Sequence, residues 1–251
     1  MTDLRVRAGG SEPPVFLLLH GLGATGDVWD GLAGLLGTAA WVAPDLPGHG
    51  GSAPLAEYSF TAVAEAVAGL VDPRGTVVVG HSFGGVIGLH LASRPGVRAA
   101  VGLGIKVAWT GDELAKAAAL AARPAPLFAT REEAVRRHLR VAGLDGLVDP
   151  ADPALAAAVV RAGDGWRPAF DVRAFGVGEP GVAGLLARAT VPVVLARGEH
   201  DGMVSAAQLS ALVPEPVDLA GLGHNAHVED PAALLPLLAD CRKLREQREA
   251  D

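Results

Sequence analysis

The sequence of 251 residues contains one cysteine, no cluster of basic residues and no long apolar run, and each absence excludes a class of protein. The single cysteine, Cys241, excludes an intrachain disulfide and a metal site built from several thiolates. A net charge of −7 without a Lys/Arg block argues against nucleic acid as a main partner, because phosphate binding needs clustered positive charge. The apolar runs fall well short of the roughly 18 residues that a membrane helix needs.

The N-terminal residues MTDLRVRAGG contain no apolar segment of the kind that a secretory signal requires. With a single cysteine, this predicts a cytoplasmic protein that has no membrane partner. Half of the residues are apolar, which is enough for a substantial core, and the length fits one large α/β domain or two small ones.

Short apolar runs alternate with helical patterns, and this order predicts a doubly wound, mostly parallel α/β sheet. The runs are rich in β-branched residues and do not alternate with polar residues, as is typical of strands covered on both faces. The predicted strands are residues 15–20, 41–44, 76–79, 98–104, 191–196 and 216–219, and the predicted helices are residues 28–36, 60–71, 83–93 and 232–246.

The alternation stops between residues 106 and 180, where no run indicates a strand. Three amphipathic helices are predicted here instead, over residues 111–122, 130–142 and 152–162. Because a crossover between parallel strands needs only one helix, three helices predict a cap inserted between two sheet strands. The core domain would then comprise residues 1–105 and 181–251, and the cap residues 106–180.

The stretch VVVGHSFGG places Ser82 between a predicted strand and a predicted helix. A serine in a G-x-S-x-G turn of this kind forms a nucleophile elbow, in which its hydroxyl points away from the sheet. The flanking glycines are needed because side chains there would collide with the neighbouring strand and helix. The alternative is a glycine-rich turn whose serine only caps the helix.

A nucleophilic serine needs a base to take its proton and an acid to orient that base. Asp201 and His224 each follow one of the last two predicted strands, so they and Ser82 are expected at the same edge of the sheet. His227 is an alternative base, although it leads into a predicted helix. The end of the strand at 98–104 offers no acidic residue, which favours Asp201 as the acid.

The loop HGLGATG, residues 20–26, permits two interpretations. Its three glycines, with Asp45 about 20 residues further on, match the dinucleotide-binding fingerprint. However, its third glycine precedes the predicted helix, and Asp45 runs into a Gly/Pro-rich loop. The alternative is an oxyanion hole, formed by the backbone N–H groups of Leu22 and of Phe83, the residue after the candidate nucleophile. The sequence favours the oxyanion hole.

Together these motifs resemble the α/β-hydrolase fold superfamily, in its small, capped, esterase-like branch. The matching segments run in family order over residues 15–240: HGLGATGDVWDGLAGLL, DLPGHGGS, GHSFGG, GEHD and GLGHNAHVEDP. The resemblance implies an eight-stranded, mostly parallel sheet with a helical cap, and it implies no cofactor or metal. It assigns Ser82 as nucleophile, His224 as general base and Asp201 as orienting acid.

The resemblance further implies a carboxylesterase-like serine hydrolase that cleaves a small-molecule ester, thioester or lactone through an acyl-enzyme. A lyase or C–C bond hydrolase on the same fold and a non-enzymatic small-molecule receptor with a retained triad remain alternatives. Ser82 argues against haloalkane dehalogenases and epoxide hydrolases, which carry Asp at this position, whereas cofactor-free haloperoxidases share the Ser-Asp-His set. Candidate substrate contacts are Trp29, Trp109, His138, Trp166, Phe170 and Met203.

Overall fold

The computed structural model describes residues 2–239, which are organised around a seven-stranded sheet. The chain forms the strands β1 (Val6–Gly9), β2 (Glu12–Leu19), β3 (Ala39–Pro44), β4 (Thr76–His81), β5 (Val97–Leu103), β6 (Val159–Ala162), β7 (Gly165–Pro168), β8 (Val193–Gly198) and β9 (Val217–Leu219). The sheet order is β1-β3-β2-β4-β5-β8-β9, while β6 and β7 form a separate hairpin. Only β1 is antiparallel to its neighbour, so the predicted mostly parallel sheet is confirmed.

Eight α-helices are defined among the described residues. They are α1 (Asp30–Leu35), α2 (Phe60–Val67), α3 (Phe83–Leu91), α4 (Gly111–Ala121), α5 (Arg131–Ala142), α6 (Val182–Arg188), α7 (Ala206–Ser210) and α8 (Ala226–Glu229). Short 3-10 helices occupy Gly26–Trp29, Ala68–Leu70, Pro153–Ala156, Val172–Gly176 and Pro231–Leu234. Within residues 2–239, no helix is long and apolar enough to cross a membrane.

Apolar side chains cover both faces of the sheet, as the uninterrupted apolar runs predict. Strand β4 shows the pattern, because Val78 belongs to one buried cluster and Val77 and Val79 to another. The first cluster lies against α2, α3, α6 and α7, and the second against α1 and the 3-10 helix Pro231–Leu234. The sheet is therefore doubly wound, with its core in two layers.

The segment between residues 106 and 180, called here the cap segment, differs from its prediction at one place. The predicted helix over 152–162 is wrong: Pro153–Ala156 forms a 3-10 turn, and β6 then pairs antiparallel with β7. Gly163, at φ 56°, and Asp164 form the two-residue loop of this hairpin, because Ala162 pairs with Gly165. A Gly-Asp pair between β-branched or aromatic residues is a hairpin signal, and here it prevails over the alanine-rich composition.

Other differences concern short elements at the margins of the fold. Strand β1 and helices α6, α7 and α8 were not predicted, and the described sheet has seven strands rather than the eight that the resemblance implies. Of the predicted helix 232–246, residues 235–239 are helical after a 3-10 turn. The remainder of that prediction, with Cys241, lies outside the described residues.

A buried carboxylate joins the loops that precede the site. Asp45, fully buried, accepts hydrogen bonds from the backbone N–H groups of Gly26, at 2.8 Å, and Gly51, at 2.9 Å. It also pairs with Arg5 at 3.0 Å, and hydrogen bonds from Arg5 to Asp27 and to Asp45 raise the pKa of that guanidinium. Because the chain's own groups occupy the carboxylate, Asp45 is not available for a ribose, and the dinucleotide interpretation is wrong.

We expect Asp45→Asn to lower the free energy of unfolding by about 2–4 kcal/mol, because it leaves Arg5 with one partner fewer and turns two N–H acceptors into a neutral amide. Urea unfolding followed by circular dichroism measures the loss. The matched control is Asp72→Asn, which removes a carboxylate from the exposed pair with Arg74 and should cost much less. Equal losses in the two variants would contradict a structural role for Asp45.

Candidate active site

Ser82 lies at the turn between β4 and α3 in a strained conformation. Its backbone has φ 49° and ψ −112°, and it is the one non-glycine residue with positive φ between residues 2 and 239. The turn is tight against β2, since a Cβ added at Gly84 would lie 2.3 Å from the carbonyl oxygen of Leu19. The N–H of Ser82 donates to the carbonyl of Leu103 at 2.7 Å. This is the geometry of a nucleophile elbow.

Asp201 and His224 form a hydrogen-bonded pair after β8 and β9. Nδ1 of His224 is 2.9 Å from Oδ2 of Asp201, and Oδ1 of Asp201 accepts from the N–H of Met203 at 2.7 Å. The Asp201 side chain is fully buried, whereas that of His224 is 24% exposed. Because a carboxylate only accepts hydrogen bonds, Nδ1 of His224 carries the proton and Nε2 presents a lone pair.

The end of β5 shows how the serine and the Asp–His pair are brought together. A Cβ added at Gly104 would lie 3.1 Å from Oδ2 of Asp201 and 3.2 Å from Nδ1 of His224. Leu103, one residue earlier, holds the backbone of Ser82. The three residues predicted as catalytic therefore lie at one edge of the sheet, where the carboxyl ends of its parallel strands meet.

His227, the alternative base, lies in a different environment. It is 1% exposed, its ring centroid is 4.3 Å from that of His81 and 4.5 Å from that of Trp29, and burial lowers its pKa to about 3. Asp201 pairs with His224 and not with His227. Trp29, predicted to contact substrate, is fully buried beside His227, which places it in the core instead.

The loop that contains Leu22 is fixed by a neutral histidine. Nε2 of His20 accepts from the N–H of Leu46, and Nδ1 lies 2.8 Å from the carbonyl oxygen of Gly21, to which it donates. Burial lowers the pKa of His20 to about 4, so the ring stays neutral. A Cβ added at Gly21 would lie 3.7 Å from Cβ of Ser82, so this loop runs beside the elbow.

Phe83, the other predicted oxyanion residue, is the first residue of α3. The N–H groups of a helix's first turn have no intrahelical partner, and they lie at the positive end of the helix dipole. The N–H of Phe83 is therefore in a suitable position to receive negative charge that forms next to Ser82. Its ring is 7% exposed and packs against Phe60 and His49.

Of the predicted substrate contacts, two line an open cavity beside the catalytic acid. Trp109 and Met203 face a space of about 450 Å³ together with Lys106, Arg197 and Asp201. Trp109 is half-buried, its Nε1 donates to the carbonyl of Lys106, and Met203 is 45% exposed.

The other three predicted contacts lie in or against the cap segment. His138 is buried on α5, and Trp166 on β7 packs against the apolar cluster of the cap segment. Phe170 lines a narrow crevice with Arg137, Val141 and other residues, and its ring is 4.8 Å from that of His49. Between residues 2 and 239, no group of three or more His, Cys, Asp or Glu side chains could hold a metal ion.

The cap segment contacts two of the catalytic loops directly. A Cβ added at Gly23, in the loop of Leu22, would lie 2.5 Å from Cγ1 of Val141 on α5. On the other side, Nδ2 of Asn225 donates to the carbonyl of Gly143, the left-handed C-cap of α5, at 2.9 Å. Asn225 is buried and directly follows His224. The end of α5 is thus tied to the catalytic histidine.

Three residues with a role in this arrangement had no predicted function: His20, His49 and Asn225. Each lies inside a motif that the sequence made conspicuous, namely HGLGATG, DLPGHGGS and GLGHNAHVEDP. Their partners are a neighbouring loop or the cap segment, and Asn225 lies 82 positions from Gly143. Contacts across such distances have no local sequence pattern.

Comparison with known proteins agrees with this geometry. The family described as "Alpha/beta hydrolase family" matches residues 16–237, so the chain belongs to this family. Two solved structures cover nearly the whole chain. The thioesterase domain from the curacin biosynthetic pathway has a TM-score of 0.79 at 22% identity over 95% of both chains. The E-2-(acetamidomethylene)succinate hydrolase has a TM-score of 0.78 at 26% identity over 96% of both chains.

Curated relatives match over a shorter stretch. Lipase LipV of Mycobacterium tuberculosis is 44% identical over 95 residues, which is 36% of this chain and 36% of that protein. The pimeloyl-[acyl-carrier protein] methyl ester esterase of Neisseria meningitidis is 44% identical over 80 residues, or 31% of this chain and 25% of that protein. The matches thus span about a third or less of the length of these relatives.

Removing the tie between Asn225 and Gly143 should impair the site more than the fold. We expect Asn225→Ala to lower the free energy of unfolding by about 1–2 kcal/mol, because it leaves a buried carbonyl without its donor. Asn225→Asp, of equal size, should lose more, because it sets an acceptor against an acceptor. Steady-state kinetics on an ester that the wild type cleaves should show kcat reduced several-fold in both variants under conditions where they are folded. Wild-type kcat in folded Asn225→Asp would contradict this role.

Proposed function

We propose that this protein is a serine hydrolase that cleaves small or medium carboxylic esters, with thioesters and lactones as related substrates. The observation that carries the proposal is the strained Ser82, which faces the hydrogen-bonded pair of Asp201 and His224 at one sheet edge. A serine that only capped a helix would need neither a positive φ nor a buried carboxylate–imidazole pair nearby.

In the proposed mechanism, Nε2 of His224 takes the proton of the Ser82 hydroxyl as its oxygen attacks the ester carbonyl. The N–H groups of Leu22 and Phe83 receive the oxyanion of the tetrahedral intermediate. His224 then protonates the departing alcohol, and the acyl group remains on Ser82. A water molecule activated by His224 hydrolyses the acyl-enzyme. Asp201 keeps the proton of His224 on Nδ1 throughout and stabilises the imidazolium.

The names of the relatives support the same chemistry. A lipase, a methyl ester esterase and a thioesterase domain are among the proteins that this chain resembles in sequence or fold. Each name implies acyl transfer from an ester or thioester to water. We therefore assign the chain to carbonyl hydrolysis in preference to a lyase reaction or a receptor function.

The cap segment is proposed to form the upper wall of the substrate site. Its helix α5 rests on the loop of Leu22 and is tied to Asn225. Phe170 and His138 are proposed to face the substrate on this side, and Trp109 and Met203 at the cavity beside Asp201. Trp166 packs within the cap segment and would act through that packing alone.

The first test is labelling with a small fluorophosphonate, read by intact mass, for the wild type and Ser82→Ala. A single adduct on the wild type and none on the variant is the expected result, because only an activated serine at the elbow reacts. A panel of p-nitrophenyl esters then tests for turnover. Failure of labelling and turnover together would refute the hydrolase, while labelling without turnover on any ester or thioester would favour the receptor.

The assignment of the base predicts different outcomes for the two neighbouring histidines. We expect His224→Ala to reduce kcat for a p-nitrophenyl ester about 10³-fold or more, because it removes proton transfer in both half-reactions. His227→Gln, which alters a buried ring without a carboxylate partner, should affect thermal stability more than kcat. An active His224→Ala together with an inactive, folded His227→Gln would reverse the assignment.

A further inference from the structure

His49, in the DLPGHGGS motif, is a fully buried histidine with no assigned role. Its position is fixed by backbone contacts to the end of the cap segment, where Gly50 donates to Ala169 and Asp171 donates to Gly48, both at 2.7 Å. Its ring lies between three others: that of His20 at 5.0 Å, that of Phe83 at 6.2 Å and that of Phe170 at 4.8 Å between centroids.

The hydrogen bond of this ring defines its tautomer. Nδ1 of His49 is 3.1 Å from the carbonyl oxygen of Pro47, which can only accept, so Nδ1 carries the proton. Burial lowers the pKa of His49 to about 3, and the ring is neutral. Nε2 is therefore a bare acceptor, and it is buried without a hydrogen-bond partner in the described chain. Buried acceptors are seldom left unpaired, since each costs about 1–3 kcal/mol.

His138 of α5 adds a second unpaired ring to the same region. It is 2% exposed, and no hydrogen bond joins it to any residue between 2 and 239. Burial, and then the proximity of His49, lower its pKa to about 4, so it is neutral with one donor and one acceptor. The two histidines come from opposite sides, one from the core and one from the cap segment.

The location of the pair indicates which part of the substrate it faces. His49 contacts Phe83 and His20, which belong to the proposed oxyanion hole and its support. His224, which must protonate the departing alcohol, contacts Asp201 and His81 instead, and shares no ring contact with His49. The pair is thus on the acyl side of the oxyanion hole, away from the leaving group.

We propose that His49 and His138 form a neutral polar subsite that binds a hydroxyl group on the acyl chain of the substrate, close to the scissile carbonyl. A hydroxyl fits because it donates to Nε2 of His49 and still exchanges a hydrogen bond with His138. A carboxylate does not fit, since it offers no proton to Nε2, and the apolar rings of Phe83 and Phe170 around the subsite do not stabilise charge. The inference rests on the proposed function and specifies its substrate class as hydroxyacyl esters.

The test compares p-nitrophenyl 3-hydroxybutanoate, each enantiomer separately, with p-nitrophenyl butanoate. The leaving group is the same, so the ratio of kcat/KM values isolates the hydroxyl. We expect the wild type to favour one hydroxylated enantiomer by about tenfold or more, the value of one added hydrogen bond. His49→Phe and His138→Phe should bring this ratio close to one, and His49→Gln, which restores an acceptor, should recover part of it.

His90→Phe is the matched control, because His90 is a half-buried histidine on α3 that stacks on Phe60 away from the pair, and it should keep the wild-type ratio. If the wild type labels with fluorophosphonate and cleaves both esters without preference, the subsite is refuted and the hydrolase stands. A preference that survives in His49→Phe and His138→Phe also refutes the subsite. If Ser82 neither labels nor turns over any ester, the hydrolase and the subsite fall together. Should His49→Phe not fold, the wild-type ratio and His138→Phe decide.

Discussion

The positive φ of Ser82 is the constraint on which the rest of the site depends. A non-glycine residue in this conformation costs roughly 1–3 kcal/mol and persists only where the surroundings enforce it. Here β4 and α3 are both fully packed, and the turn between them is pressed against β2. The two cores of the sheet therefore hold the hydroxyl in place before any substrate arrives, and catalysis by preorganised groups needs such a scaffold.

Histidine serves several purposes around this turn, and the purpose follows from the environment of each ring. His224 is partly exposed and has a carboxylate partner, so it can exchange protons. His20, His49 and His227 are buried, and burial lowers their pKa values to between about 3 and 4. They act as neutral donors, acceptors or packing groups. Residue type alone does not distinguish the base from its neighbours, whereas exposure and a carboxylate do.

This difference also explains how much could be predicted from the sequence. The six predicted strands and the convergence of Ser82, Asp201 and His224 follow from continuous apolar runs and from the rule that parallel strands end at one edge. Trp29 was misplaced because an aromatic side chain near a glycine loop has the same local pattern whether it faces a pocket or the core. The hairpin of β6 and β7 was missed because alanine-rich composition outweighed a two-residue turn signal.

The apolar cluster of the cap segment has a consequence for protein engineering. Its buried members include Ala24 from the loop of Leu22, and Val28 and Val228 from the core pack against it. The cap segment is therefore not an interchangeable module with a polar seam beneath it. A chimera that grafts residues 106–180 onto another hydrolase would have to transplant these apolar residues, together with Asn225, or it would expose the cluster to water. Shuffling of lids between members of this family should accordingly succeed only where both sides of that seam are exchanged together.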